Sequence, residues 1–230
     1  RSGGLPGVTD AGGNLACANG TYNLVAGTAW LFAGKDLRGA PVDTLIVDEA
    51  GQLSLADTLA ASCAATNLIL LGDPLQLAQV SKASHPNGSG ASVLEHVLGD
   101  EATMPAERGV FLDVTRRMHP DVCRFISERV YDGRLLSHES CAQQTTEFGT
   151  GLRWLPVRHE GRSTESVEEA EAVAREVDRL LGTDWTNQRG ETRPLEASDI
   201  MVVAPYNDQV NLMRVTFEAQ GMAGVPVGTV

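Results

Sequence analysis

Residues 45–52 read LIVDEAGQ, and residues 70–77 read LLGDPLQL. Each stretch opens with apolar residues and reaches an acidic residue within a few positions. This pattern is typical of a buried parallel strand that delivers its carboxylates to the carboxyl edge of a sheet. Together the two stretches predict an α/β fold with functional side chains at that edge.

The acidic pair Asp48-Glu49 is the strongest candidate for chemistry. Proteins that hydrolyse nucleoside triphosphates place one carboxylate on Mg²⁺ and a second beside the attacking water, roles that suit Asp48 and Glu49. Gln76, just beyond the next strand, could bind the γ-phosphate through a neutral amide. An acidic pair that is only solvated, or that caps the following helix, is the alternative.

Composition limits the class of protein. The chain has 230 residues, 42% of them apolar, and a formal net charge of −12. This charge argues against coating nucleic acid through bulk electrostatics, but leaves room for a narrow basic groove. Four scattered cysteines without a C-x-x-C pair argue against a zinc or redox motif. Without a membrane-length apolar run or signal peptide, we expect a soluble cytoplasmic protein.

The residue pattern of the first half of the sequence predicts alternating strands and helices. We expect strands over 22–32 (with Thr28 near the end of its core), 42–47 and 68–71. Ser54 and Ser92 should begin two helices, with Asp57 three residues after Ser54 as in a capping box. A polar loop follows from residue 81, and a boundary near residue 108 divides the chain into domains 1–108 and 109–230.

The second half predicts the same alternation. Strands are expected over 110–114, 152–157, 200–204 and 225–230. Helices are expected from Pro120 to about Gly133, from Ser166 to Gly182, and over 209–220. Ser166 and Glu169 have the spacing of a capping box, which would give Glu169 a structural role.

Most of the further candidates lie in the second half. An Arg can stabilise charge on a transferring phosphoryl group, and Arg116 and Arg117 precede a helix start, where a cation is unfavourable without another role. His119, before Pro120, is expected to cap that helix or to pack between elements. Four residues at strand ends or helix starts could line a nucleic-acid path: Thr28, Tyr206, Gln209 and Thr229.

A phosphate-cradling loop of the form G-x-x-x-x-G-K-[ST] is absent from the sequence. Gly34-Lys35 is the only Gly-Lys pair, and Asp36 follows it where Ser or Thr is needed. The position of the first Gly holds Ala29. We therefore predict that the chain has no P-loop.

Four segments in this order resemble the superfamily 1 helicases: DEAGQ (48–52), GDPLQL (72–77), RRMHP (116–120) and VAPYNDQ (203–209). The resemblance extends over about 24–230 and is strongest with the 5′-to-3′ group that includes the nonsense-mediated-decay RNA helicase and Dna2-type enzymes. Residues 27–32 and the loop through His85-Pro86 look most like bacterial helicases fused to a RecB-like nuclease.

The resemblance implies two RecA-like parallel-sheet domains, both incomplete at the chain ends, with ATP in their cleft and single-stranded DNA or RNA across their top. By position, Asp48 would ligate Mg²⁺, Glu49 would be the general base and Gln76 the γ-phosphate sensor. Arg117 would reach the γ-phosphate from the second domain. Arg116 replaces the usual adenine-stacking Tyr, and Glu169 matches a nucleotide-binding motif at a helix start. Thr28 and Thr229 match positions near the nucleic-acid backbone.

The chain begins at Arg1 and closes with VGTV (227–230), so we expect a fragment of a longer polypeptide. The parent is expected to be an ATP-dependent helicase, with the P-loop upstream and the last motifs downstream. This portion alone should be inactive, because the P-loop supplies most phosphate binding. The alternative is a non-hydrolysing nucleic-acid- or protein-binding module derived from a helicase core.

Overall fold

The structure is a computed structural model that describes residues 6–76, 90–101 and 103–229. Its internal contacts divide the chain into two units, Arg1–Phe111 and Leu112–Val230. The loop expected from residue 81, with its His85-Pro86 pair, lies outside the described residues. None of the described helices is long and apolar enough to cross a membrane.

The first unit is organised around two parallel strands joined by a helix. Strand β1 (Val42–Val47) pairs with β2 (Ala65–Leu70), and α4 (Leu55–Ser62) connects them. The remaining helices of the unit are α1 (Asn14–Ala18), α2 (Ala29–Ala33), α3 (Lys35–Arg38) and α5 (Val93–Leu98). A 3₁₀ turn, Ala50–Gln52, follows β1. The strand predicted at 42–47 is confirmed with the same bounds.

Local signals account for the helix starts in this unit. The Ser54 hydroxyl accepts a hydrogen bond from the Asp57 N–H at 3.0 Å, which satisfies a donor that the first turn of α4 leaves free. At α5 the capping box is reciprocal: the Ser92 hydroxyl accepts from the Glu95 N–H, and the Glu95 carboxylate accepts from the Ser92 N–H. Both predicted helix starts are confirmed.

The core of the first unit lies on one face of the sheet. Leu45 and Val47 are buried, whereas Ile46 between them is 56% exposed and Ile69 of β2 is 46% exposed. The side chains of a strand alternate between the two faces, and the helices of the described residues pack on the Leu45 side. The strand expected at 68–71 is found as the end of β2 (Ala65–Leu70), but the expectation that it is buried is wrong for the described residues.

A second correction concerns residues 22–32, which were expected to form a strand. Ala29–Ala33 is instead the helix α2, and residues 23–28 pair with no strand among the described residues. The sequence AWLFA lies between Thr28 at the N-cap position and Gly34 at the C-cap position, two residue types common at helix ends. Thr28 is thus an exposed residue at a helix start rather than near a strand end.

The second unit combines three small sheets. Parallel strands β3 (Val114–Thr115) and β4 (Leu136–Ser137) flank α6 (Pro120–Val130), and parallel strands β8 (Val202–Val203) and β9 (Val227–Gly228) flank α8 (Asn207–Ala219). An antiparallel sheet contains β5 (Thr145–Thr146), β6 (Asp184–Thr186) and β7 (Thr192–Pro194). Helix α7 (Val167–Leu180) precedes β6. The predicted α/β class is confirmed.

The core of this unit is built from α7, α8 and the β8–β9 pair. Its central buried side chains include Ala174 and Val177 of α7, Met213 and Phe217 of α8, and Val202 of β8. This arrangement buries the apolar face of each amphipathic helix. The antiparallel sheet was not predicted, since no element was assigned to 184–194.

The strand expected over 152–157 does not pair with another strand among the described residues. Its central Trp154 is 89% exposed. Pro156 lacks an N–H and therefore cannot donate a ladder hydrogen bond, a property that confines proline to edges and irregular segments. Likewise, only Val114 of the strand predicted over 110–114 is paired, as the first residue of β3.

Candidate functional site

The loop after β1 places two carboxylates at the carboxyl end of that strand. Asp48 and Glu49 are both exposed, and the Oδ1 atom of Asp48 accepts a hydrogen bond from the Glu49 N–H at 3.0 Å. Glu49 has a left-handed backbone with φ of 54°, which is uncommon outside glycine and marks a sharp turn into the 3₁₀ segment. The Gln52 side chain donates to the Glu49 carboxylate at 3.5 Å.

The loop after β2 carries Asp73 and Gln76. Asp73 Oδ1 accepts from the Leu75 N–H at 3.0 Å, and its Oδ2 accepts from the Gln76 side-chain amide at 3.1 Å. Asp73 therefore orders the loop and holds the Gln76 side chain, which is exposed. Sequence reasoning assigned no role to Asp73, although an Asp followed by Pro is a common turn signal.

These two loops touch through their backbones. The Leu71 N–H donates to the Val47 carbonyl, and the Ala50 N–H donates to the Leu71 carbonyl, each at 2.8 Å. A Cβ on Gly72 would lie 2.8 Å from the Ala50 nitrogen, so only glycine permits this approach. The structure therefore brings the Asp48-Glu49 loop against the loop that carries Gln76.

The chemistry of this edge suits a magnesium–phosphate group. No group of three or more His, Cys, Asp or Glu side chains among the described residues is arranged to hold a metal ion. Mg²⁺ does not need one, because it commonly binds one or two carboxylates together with phosphate oxygens and water. Asp48 offers an exposed carboxylate of that kind, and Glu49 offers a second one next to it.

In the second unit, Arg116 and Arg117 lie between β3 and α6. Both side chains are exposed, and neither guanidinium has an acidic partner among the described residues. His119 is the N-cap of α6, as predicted: its Nδ1 accepts from the Asp121 N–H at 3.1 Å. This leaves the two arginines available to an anion.

Glu169 sits in the first turn of α7, where the predicted capping box is only half formed. The Ser166 hydroxyl accepts from the Glu169 N–H at 3.2 Å, but the Glu169 carboxylate does not return to the Ser166 N–H. It pairs instead with His159 Nε2 at 3.0 Å. The neighbouring carboxylate of Glu168 accepts hydrogen bonds from the Arg162 guanidinium, and these lower the Glu168 pKa to about 2.

The four residues predicted to line a nucleic-acid path lie in different surroundings. Tyr206, at the N-cap position of α8, is 51% exposed, and Thr229 after β9 is exposed, as is Thr28 in the first unit. Gln209 is only 4% exposed, and both ends of its amide bind the backbone of Ser166. The expectation that Gln209 lies at a nucleic-acid surface does not fit this structure.

A contact that sequence reasoning missed lies at the turn between β6 and β7. The Gln188 side chain donates to the carbonyl of Arg116 at 2.8 Å, across 72 positions of sequence. The only local signal was the sequence TNQRGET (186–192), which has the Asn and Gly expected of a hairpin turn. Nothing in that signal identifies the partner.

Comparison with known protein families gives two matches. Residues 90–230 match the family described as AAA domain. Residues 28–131 match the viral superfamily 1 RNA helicase core domain. The two matches overlap and together extend over both loops of the first unit and all of the second unit.

Individual relatives include two proteins named as helicases and one named as an exoribonuclease. A Mus musculus protein named 3'-5' exoribonuclease HELZ2 is 26% identical over 91% of this chain. Helicase sen1 of Schizosaccharomyces pombe is 28% identical over 77% of this chain. The DNA polymerase alpha-associated DNA helicase A of the same yeast is 26% identical over 90% of this chain. The aligned regions cover 7%, 11% and 34% of those proteins' own lengths. The chain therefore corresponds to a minor part of each relative.

Proposed function

Because this chain belongs to the AAA domain family and carries a superfamily 1 helicase core, we propose that it is the central portion of an ATP-dependent helicase. In this proposal the complete polypeptide couples ATP hydrolysis to movement on single-stranded nucleic acid. One observation carries most of the weight: the Asp48-Glu49 loop packs against the loop of Asp73 and Gln76 at the carboxyl ends of paired parallel strands.

We assign the first-unit side chains by their chemistry. Asp48 would hold the magnesium ion of the nucleotide, and the bound ion would neutralise charge on the β- and γ-phosphates. Glu49 would accept a proton from the attacking water, for which its position one residue beyond Asp48 is suitable. Gln76 would donate to the γ-phosphate, exchanging its present hydrogen bond with Asp73 for one with the phosphate.

The second unit would supply cations and a nucleotide contact. Arg117 would stabilise the charge that develops on the transferring phosphoryl group, as an arginine finger does. Arg116 would stack on the base, since a planar guanidinium can lie on an aromatic face. Glu169 would bind the nucleotide in place of its present partner His159.

The nucleic-acid contacts in this proposal are Thr28, Tyr206 and Thr229. Tyr206 is the best placed of the three to stack on a base, because its ring is half exposed at the start of α8. Gln209 is left out of this surface because it is buried. The negative charge of the whole chain implies that phosphate contacts come from local arginines rather than from a broad basic face.

Finer parts of the proposal rest on the sequence alone. We propose 5′-to-3′ movement, a cytoplasmic location, and a RecB-like nuclease elsewhere in the complete polypeptide. Strand-displacement assays with 5′ and 3′ overhangs test the direction, and a nuclease assay on the complete polypeptide tests the fusion. Parallel assays with DNA and RNA decide which is the track.

The decisive experiment measures ATP hydrolysis by this chain and by the complete polypeptide, with and without single-stranded DNA or RNA. We expect hydrolysis only by the complete polypeptide, with a rate that rises when single strands are added. If the complete polypeptide binds single strands but hydrolyses nothing, the chain is a binding module built on a helicase core. If it neither binds nor hydrolyses, the proposal is wrong.

A further inference from the structure

The turn between β6 and β7 is held rigidly by its own hydrogen bonds. Asn187 closes it: its side-chain oxygen accepts from the N–H groups of Arg189 and Glu191 at 2.8 and 3.2 Å, and its backbone carbonyl accepts from the Gly190 N–H at 3.0 Å. Gly190 has a φ of 76°, a left-handed conformation that favours glycine. Gln188 is therefore presented from an ordered turn, so that its side chain can bind without a further loss of backbone entropy.

The strands that support the turn are also fixed. The Arg193 guanidinium forms two hydrogen bonds with the Asp199 carboxylate, at 2.6 and 2.7 Å, and lies 4.7 Å from the centre of the Trp185 ring. Strand β6 pairs in addition with β5. The hairpin is thus tied to the second unit on both of its strands.

Two contacts place the tip of this hairpin beside the segment that precedes α6. The Gln188 amide donates to the Arg116 carbonyl at 2.8 Å. A Cβ on Gly190 would lie 3.0 Å from the side-chain oxygen of Gln143, which belongs to the 3₁₀ turn after β4. Since β4 pairs with β3 and β3 leads into Arg116, the hairpin tip packs against neighbouring parts of one small structure.

The peptide bond between Arg116 and Arg117 is held at both of its polar atoms. Its oxygen accepts from Gln188 at 2.8 Å, and its N–H donates to the Thr115 hydroxyl at 3.3 Å. A peptide unit is planar and includes the Cα of the following residue, so two hydrogen bonds at opposite edges restrain the orientation of the whole unit. The side chain that grows from that Cα is the exposed guanidinium of Arg117.

We propose that Gln188 is a positioning residue for Arg117. By holding the carbonyl of Arg116, it fixes the base of the Arg117 side chain and narrows the range of positions open to the guanidinium. This inference rests on the proposed function of Arg117. The physical reason is preorganisation: an arginine that must search for its orientation in each turnover stabilises the transition state less.

The test uses the complete polypeptide with saturating single-stranded nucleic acid, and measures kcat and KM for ATP. Gln188→Ala removes the donor, and Gln188→Glu keeps the size but replaces the donor with an acceptor. We expect each to lower kcat by about tenfold, because Arg117 would no longer be held in one orientation, while KM changes by less than about twofold. Thr115→Val, which removes the acceptor on the other side of the peptide, should lower kcat in the same way.

Gln220→Ala is the matched control. Gln220 is an exposed glutamine of the same unit, at the C-cap position of α8, and its side chain has no hydrogen-bond partner among the described residues. We expect its kcat and KM to equal those of the unsubstituted protein. A urea unfolding curve for each Gln188 variant should superimpose on that of the control, because the hydrogen bond that Gln188 donates is exposed to solvent.

A double substitution separates positioning from a general effect on the fold. In the Arg117→Ala background, Gln188→Ala should cause no further loss of kcat, because there is no guanidinium left to position. A further loss of the same size would overturn the inference, and so would a loss that appears in KM rather than kcat.

The same measurements test the role of Gln188 separately from the proposed role of Arg117. If Arg117→Ala lowers kcat and Gln188→Ala does not, the positioning role is wrong and the proposed function stands. If Arg117→Ala leaves kcat unchanged, the proposed role of Arg117 is wrong, and the role of Gln188 falls with it.

Discussion

Gln209 binds both backbone groups of Ser166 from a buried position. Its Oε1 accepts from the Ser166 N–H at 2.6 Å, and its Nε2 donates to the Ser166 carbonyl at 3.2 Å. The two residues are 4% and 3% exposed and belong to the starts of α8 and α7. Beside them the Thr164 hydroxyl donates to Asp208 at 2.8 Å. A single amide therefore joins the first turns of the two helices that build the core of this unit.

Substitution of Gln209 should destabilise the second unit. Gln209→Ala would leave the Ser166 N–H buried without a partner, and the Ser166 carbonyl would keep only its hydrogen bond from the Ala170 N–H. This should lower the free energy of unfolding by about 2 kcal/mol. Gln209→Glu should also be destabilising, because a carboxylate cannot donate to the carbonyl. Urea unfolding measures both, with Asn211→Ala, an exposed position of the same helix, as the control. Equal stability of the Gln209 and Asn211 variants would contradict the structural role.

Gly51 should tolerate no side chain. A Cβ at this position would collide with the backbone oxygen of Asp73 and lie 2.9 Å from its carbonyl carbon. Since neither backbone can yield without separating the two loops, Gly51→Ala should lower the free energy of unfolding by about 1–3 kcal/mol. Gly12→Ala is the control, because nothing lies within 4 Å of its Cβ position. A variant Gly51→Ala as stable as this control would show that the loops do not pack as described.

Glu49→Gln should separate ATP binding from hydrolysis in the complete polypeptide. The amide keeps the size of the side chain but accepts a proton poorly, so kcat should fall by at least about a hundredfold. The dissociation constant for ATP should change little, because Asp48 and the phosphate contacts remain. Glu107→Gln, at an exposed glutamate of the same unit, should leave both quantities unchanged. Equal loss of binding and turnover would rule out the general-base assignment.

Asp199 should titrate at unusually low pH. Its hydrogen bonds with the Arg193 guanidinium, and then with the Glu196 N–H, lower its pKa from 3.8 to about 2. A carboxylate with a lowered pKa in the folded state contributes stability above about pH 4, and that contribution is lost as the pH falls towards 2. NMR titration of the carboxyl carbon measures the pKa, which should rise towards 3.8 in Arg193→Gln. Arg175→Gln, in which a different ion-paired arginine is replaced, should leave the Asp199 pKa unchanged.

The helix starts show what local sequence can predict. Ser54, Ser92, Pro120 and Ser166 begin helices as expected, because a cap joins residues two or three positions apart and involves no distant partner. Strand β1 was equally clear from its apolar run. Residues 22–32 were wrongly predicted to form a strand, because a short apolar run has the same sequence pattern in a buried strand and in a buried helix.

The candidate site divides in the same way. The sequence motifs alone predicted that Asp48, Glu49 and Gln76 follow two parallel strands, whose loops lie at the same edge of the sheet. The chemical roles assigned to these residues stay predictions. The burial of Gln209 and the contact of Gln188 with Arg116 join residues 43 and 72 positions apart. Caps, turns and strand periodicity were set by the sequence, because they depend on near neighbours. Which polar side chains face a ligand and which hold the backbone was decided by tertiary packing, because a buried amide must bind whatever groups the fold places beside it.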